Sequence, residues 1–205
     1  MSRRLFNTSP VARTLALLAC FGTVPAALAE STYGYAAAGA GTVTATARVN
    51  LSVTVPKLIL LRIGSANAVV DTASWTVGAS IPAGPTVPVN GNNTAVNWNG
   101  AAPTLTASAS PAALNVFAWT NATTGTINCA LGAWSQAGGP ANANFTVTVT
   151  GTLAHPGANL GACASAGFTS NTLLSGTWQY VLGGTPGTWA AGVYTNVVTY
   201  TATGV

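Results

Sequence analysis

The chain has 205 residues, 49% of them hydrophobic and only 4% charged, with a formal net charge of +4. Arg3, Arg4 and Arg13 fall near the start, and the rest of the chain sets Arg48, Lys57 and Arg62 against Glu30 and Asp71. No basic patch for nucleic acid remains. A surface covered by Thr, Ser, Asn, Gly and Ala has little like-charge repulsion, which fits a subunit packed in an assembly better than a free monomer.

The first 29 residues combine those three arginines with an apolar run from Leu15 to Val24, then Pro25 and the small-residue end Ala27, Leu28, Ala29. This is the pattern of a cleaved secretory signal peptide. Leu17 to Cys20 forms a loose lipoprotein signal, but the apolar run before Cys20 is short for one. A membrane anchor needs about 20 apolar residues, more than this run supplies. The chain beyond residue 29 has the length of one domain, enough to bury roughly 70% of the surface its unfolded form exposes.

Residues 30–42 are rich in Gly, Ala and Tyr and read as a flexible N-terminus. A single β-sandwich domain is expected over residues 43–205. It opens with strict alternation over residues 43–55: Val43, Ala45, Ala47, Val49, Leu51, Val53 and Val55 alternate with Thr44, Thr46, Arg48, Asn50, Ser52 and Thr54. Period-two alternation predicts a strand with one buried face. Pro56 interrupts it, because proline cannot donate to a central ladder. Residues 57–63 then read as a short apolar strand ended by Gly64.

A strand carrying Trp75 is expected over residues 69–77. The stretch 78–93, with Pro82, Pro85 and Pro88, reads as a long connection. A short strand is expected over residues 94–98, and the Ala/Ser/Thr stretch 105–110 supports no assignment. Strands are expected at 116–119 and 126–134, on either side of a turn at 121–125. Residues 145–153 alternate again, with Phe145, Val147, Val149 and Leu153 on one face. A strand at 178–182 is followed by a Gly/Pro turn at 183–187. Residues 191–205 close the chain as a strand rich in β-branched and aromatic residues, with the carboxylate of Val205 held close to a sheet. No helical period is evident, so the expectation is an all-β, antiparallel, immunoglobulin-like β-sandwich.

The run Gly192, Val193, Tyr194, Thr195, Asn196, Val197, Val198, Thr199, Tyr200, Thr201 resembles the closing strand of spore-coat-protein-U-like and chaperone–usher fimbrial subunits. Asn196 stands where those proteins usually have Asp, and Gly204-Val205 replaces their near-terminal aromatic residue. Residues 47–64, ARVNLSVTVPKLILLRIG, are similar to the opening strands of the same group, without the cysteine many members carry there. The resemblance implies a structural subunit of a fimbria or cell-surface assembly, joined by β-strand complementation. Its partners would be a periplasmic chaperone, an outer-membrane usher and other subunits, and it would pass through the periplasm to the cell surface. Val193, Tyr194, Val197, Val198, Tyr200 and Val205 would form one side of the contact.

Cys129 and Cys163 are the only cysteines beyond the leader. An even count in an exported protein predicts a disulfide. One histidine, His155, with few carboxylates is a poor inventory for a four-coordinate zinc site, and no cofactor motif is present. A Ser-His-Asp arrangement would need His155 with Asp71, and a glycosidase pair Glu30 with Asp71; neither has a supporting motif. His155-Pro156-Gly157 reads as a polar turn, and no catalytic residue is assigned. Among the six tryptophans, Trp98 and Trp189 sit beside turn residues. They are the candidates for glycan contact should the protein instead be a self-contained carbohydrate-binding or adhesin module.

Overall fold

A computed structural model describes residues 31–84 and 86–205; the expected signal peptide, Cys20 and Glu30 lie outside the described residues. The chain divides between Val55 and Pro56 into two units.

Within the described part of the first unit, the hydroxyl of Thr32 donates to the carbonyl of Thr46 and accepts from its N–H, both at 2.9 Å. The turn between them is closed by the Gly39 N–H on the Ala36 carbonyl. The alternating stretch 43–55 forms no strand. This corrects the expected strand with a buried face: every residue in it is exposed, including Val49 at 66%, Leu51 at 90%, Val53 at 86% and Val55 at 73%.

Residues 56–205 hold nine strands and, among the described residues, no α-helix. They are β1 (Ile59–Ile63), β2 (Val77–Ser80), β3 (Thr104–Ala107), β4 (Leu114–Thr120), β5 (Gly125–Leu131), β6 (Phe145–Gly151), β7 (Ser165–Phe168), β8 (Leu174–Leu182) and β9 (Val198–Gly204). All pairings are antiparallel. The four-stranded sheet has the order β1-β4-β8-β6, the three-stranded sheet the order β7-β5-β9, and β2 pairs with β3 alone.

Several expectations shift. Residues 69–76 and 94–98 form no strand, while the unassigned Ala/Ser/Thr stretch supplies β3. The closing strand begins only at Val198; residues 193–197 instead run beside 132–136, with Gly132 N–H on the Val197 carbonyl and Ser135 N–H on the Thr195 carbonyl. The turn after β4 does not make a hairpin, because β4 and β5 enter different sheets.

The two larger sheets share one apolar cluster. Val116 and Ala118 of β4 and Leu174 and Trp178 of β8 meet Ile127 of β5 and Phe168 of β7, with Leu153 completing it. Alternation accounts for the choice of residues: on β4 the buried positions are Val116, Ala118 and Thr120, with Phe117 and Trp119 on the other face. There the Arg62 guanidinium lies 5.2 Å from the centre of the Phe117 ring, its cross-strand partner, a cation–π contact. A second cluster joins Phe145, Leu160 and Tyr180, with Trp75 and Trp134 packed against it. Phe145 meets Trp75 edge-on and stacks on Trp134. Gly151, at φ +92°, faces Gly176 across β6 and β8. A Cβ on either would run into the other strand's backbone, so both positions demand glycine.

Asn121 stitches the start of β1 to the end of β4. Its side-chain oxygen accepts from Leu58 N–H at 2.7 Å and its amide donates to the Pro56 carbonyl at 2.7 Å. Asn121→Ala should cost about 1 kcal/mol, the usual net worth of such bonds where water can compete. It should appear as a lower urea midpoint with unchanged slope.

Candidate functional site

An edge strand leaves every second N–H and C=O without a ladder partner, and natural edges guard these groups with Lys, Pro, bulges or a covering loop. The edges of this fold differ in that respect. Among them, β6 is partly covered by the loop 152–164, through Val147 N–H on the Ala158 carbonyl and a bridge between Thr146 and Asn159, and β7, an edge of the three-stranded sheet, is only four residues long. On one rim lie β1 and β9, edges of different sheets. β9 runs for seven residues, VTYTATG, without a charge or a proline.

The inward-facing side chains at this rim are incompletely covered. Ile59, Leu61 and Ile63 of β1 and Tyr200 and Ala202 of β9 pack against the core cluster but stay half-buried. Val116 and Ile127, one strand further in, are 0% exposed. β1 and β9 close on each other at one end, where Gly204 faces Ile59, Thr120 and Ala122 so tightly that a Cβ would touch the last two. Val205 is fixed there too. Its N–H donates to the Thr124 carbonyl at 3.0 Å, and Thr123 N–H donates to the Val205 oxygen at 2.9 Å. Residue 205 thus lies against a sheet end, as expected.

The sequence-derived contact residues do not form one surface. Val193 and Val197 are exposed and precede β9, and Tyr194 is half-buried, its hydroxyl donating to the Ala190 carbonyl. Val198 packs towards the second cluster, and Tyr200 points into the core. Ile59, Leu61, Ile63 and Ala202, which line the half-covered rim, escaped sequence reasoning. The signal for them was present in the inner-face alternation of both edge strands.

Cys129 of β5 and Cys163 form the expected disulfide, with Cα atoms 5.3 Å apart. His155 is only 8% exposed, so the expected polar turn is a buried one, with Gly157 N–H on the His155 carbonyl at 2.8 Å. Nδ1 lies 2.6 Å from the Gly157 carbonyl and Nε2 lies 2.7 Å from the Tyr200 hydroxyl. Burial pushes its pKa down, against a smaller opposite effect of the Gly157 hydrogen bond.

Asp71 sits in different surroundings, a depression of about 220 Å³ lined by Arg62, Gly64, Ser65 and Asn115. Its carboxylate accepts from the N–H and hydroxyl of Ser65. Those two bonds, and behind them the charge of Arg62, lower its pKa. The hydrogen bonds of His155 and Asp71 thus run to separate partners. A second depression of about 210 Å³ is lined by Gly132, Ser135, Thr195, Asn196 and Val197. Both are smaller than the roughly 300 Å³ at which small-molecule pockets begin. Among the described residues no three of His, Cys, Asp and Glu gather at one point.

Trp98 is 58% exposed, with its indole N–H donated to the Ala101 carbonyl at 2.7 Å. Trp189 is half-buried beside Gly184. No family model, curated protein or solved structure matches the chain.

Proposed function

We propose that the protein is an exported structural subunit of a fimbria or similar cell-surface assembly, with an immunoglobulin-like sandwich as its body. Its subunits join by strand complementation, in which residues 43–55 of one copy enter the β1/β9 rim of the next. One observation carries this reading: thirteen residues of strict alternation present their whole apolar face to solvent. An amphipathic segment of that length has a β-strand's side-chain order but belongs to no ladder. The half-buried inner residues of β1 and β9 offer apolar contact and unpaired backbone in the same place. Before assembly, a periplasmic chaperone would lend a strand to that rim, and an outer-membrane usher would carry the subunit outward.

The test is co-purification with a chaperone together with electron microscopy and sizing of material from the cell surface. Polymers whose formation is blocked by a free peptide of residues 43–55 support the reading. A stable monomer that captures no chaperone sinks it. The exposed ring of Trp98 favours a second reading, a secreted glycan-binding or adhesin module. Trp98→Ala should then abolish retention on a glycan array while leaving stability within about 0.5 kcal/mol of the parent, the range for surface changes.

A further inference from the structure

Besides its apolar packing, β9 is hydrogen-bonded through one ladder, to β5, and one polar chain crosses from it to the other sheet. Tyr200 stands on β9 and Tyr180 on β8 of the four-stranded sheet; their hydroxyl oxygens are 2.7 Å apart. His155, from the loop 152–164, extends the chain from Tyr200 Oη to the carbonyl of Gly157. A carbonyl can only accept, so Nδ1 carries the proton of the neutral ring and Nε2 is bare. The directions are then forced. Tyr180 O–H donates to Tyr200, Tyr200 O–H donates to His155 Nε2, and Nδ1–H donates to Gly157.

We propose that His155, Tyr200 and Tyr180 form a pH-operated clasp, which ties β9 to the opposite sheet while the imidazole is neutral and lets the strand go when the ring takes up a second proton. A proton on Nε2 meets the Tyr200 oxygen as a donor, so Tyr200 can no longer give its own proton to the ring. Either Tyr200 turns that proton towards Tyr180 and the Tyr180 O–H loses its acceptor, or Tyr200 accepts from both neighbours and its own O–H is left without one, in a site that Tyr180 and His155 keep buried. A buried donor without an acceptor is costly.

The groups facing His155 offer no counter-charge. From β8 come the Tyr180 hydroxyl and the Trp178 ring, whose centre is 4.8 Å away; from β9 comes Tyr200. Cys129 of β5, already bonded to Cys163, lies 3.2 Å from the carbonyl of Pro156. β5, β8, β9 and the loop 152–164 contain no Asp, Glu, Lys or Arg. Burial also raises both tyrosine pKa values, so neither hydroxyl becomes an anion that could neutralise the ring.

The folded ring has a pKa below its unfolded value of about 6.5, so the unfolded chain binds the extra proton more readily. The contribution to stability is therefore fully present above about pH 6.5 and is lost as pH falls through that value towards the folded pKa. A single proton changes the equilibrium by at most about tenfold per pH unit. His155 is the only histidine in the chain, and ordinary carboxylates titrate below this window.

The purified protein, followed by urea unfolding and by hydrogen exchange between about pH 7.5 and 5.0, tests the clasp across the ordinary histidine range. The expected results are an unfolding constant about tenfold larger at the acid end than at neutrality, and a loss of protection at β9 amides greater than at β4 and β8, after correction for intrinsic exchange. Ring ¹³C and ¹⁵N shifts of His155 should show the Nδ1–H tautomer and a midpoint below about 6.5. His155→Gln should flatten the pH dependence. Should that variant not fold, the ring titration of the parent decides alone. A folded-state midpoint at or above about 6.5, an Nε2–H tautomer, stability unchanged from neutral to acid pH, or equal loss of protection across both sheets overturns the proposal. The clasp stands whether or not β9 receives a strand from another copy.

Discussion

Leu51→Asp combined with Val53→Asp should abolish polymer formation, while Ser52→Asp combined with Thr54→Asp should leave it close to the parent level. Both pairs lie in the exposed stretch before Pro56 and add the same charge, so long-range repulsion changes equally. They differ in phase, and the first pair alone removes apolar side chains, Leu51 and Val53. In a strand, alternate side chains point to opposite faces, so odd positions would enter the β1/β9 rim and even positions would face water. A carboxylate placed against Ile59, Leu61 and Ala202 meets no cation inside the rim. Desolvating an unpaired charge costs several kcal/mol, and about 4 kcal/mol is roughly a thousandfold in affinity. Electron microscopy of surface material and sizing of the purified protein would report assembly, and urea midpoints would confirm an unchanged body. Equal effects of the two pairs would rule out a strand-like insertion, and no effect of either would remove residues 43–55 from assembly altogether.

The same stretch shows where the sequence misleads. Alternation records that a segment has two unlike faces; it does not record that a partner strand lies beside it. Over β4, β5, β6 and β8 the partner is in the same chain; of the face expected over 145–153, Phe145 is buried, Val147 half-buried and Leu153 buried beyond β6, while Val149 is exposed. Over residues 43–55 no strand forms, so the rule that found β6 also named a strand that is absent. β7, of sequence SAGF, escaped because so short a run, mostly of small residues, carries no period. β3, of sequence TLTA, escaped because its Thr and Ala residues carry too little bulk to mark a face.

Ladder partners were harder still. The Asn121 to Thr124 connection looks like a hairpin turn, yet β4 and β5 go to opposite sheets, a choice set by the shared cluster around Val116, Ile127 and Trp178. His155 beside Pro156 and Gly157 has the local chemistry of a surface turn. What buries it is Tyr180 and Tyr200, 25 and 45 positions away, and only tertiary structure brings such groups together.

Replacing both half-cystines, Cys129→Ala with Cys163→Ala, should lower stability by about 3 to 4 kcal/mol. The bond closes a loop with a sequence separation of 34, for which the chain-entropy account gives that value. The closed loop contains β6 and residues 152–162, and thus the carrier of His155 and of Leu153, whose carbonyl accepts the Trp178 indole N–H at 3.0 Å. Without the bond, the segment remains attached through Leu153 in the core, through Leu160 in the second cluster and through Val147 N–H of β6 on the Ala158 carbonyl. The body should therefore still fold at low temperature, with a reduced urea midpoint and earlier hydrogen exchange in 152–164 than in β4 or β8. The pH dependence assigned to His155 should shrink in the same variant, because a looser loop holds the ring less firmly between Tyr200 and Gly157. Stability within about 0.5 kcal/mol of the parent would show that packing alone fixes the loop and that the disulfide is dispensable.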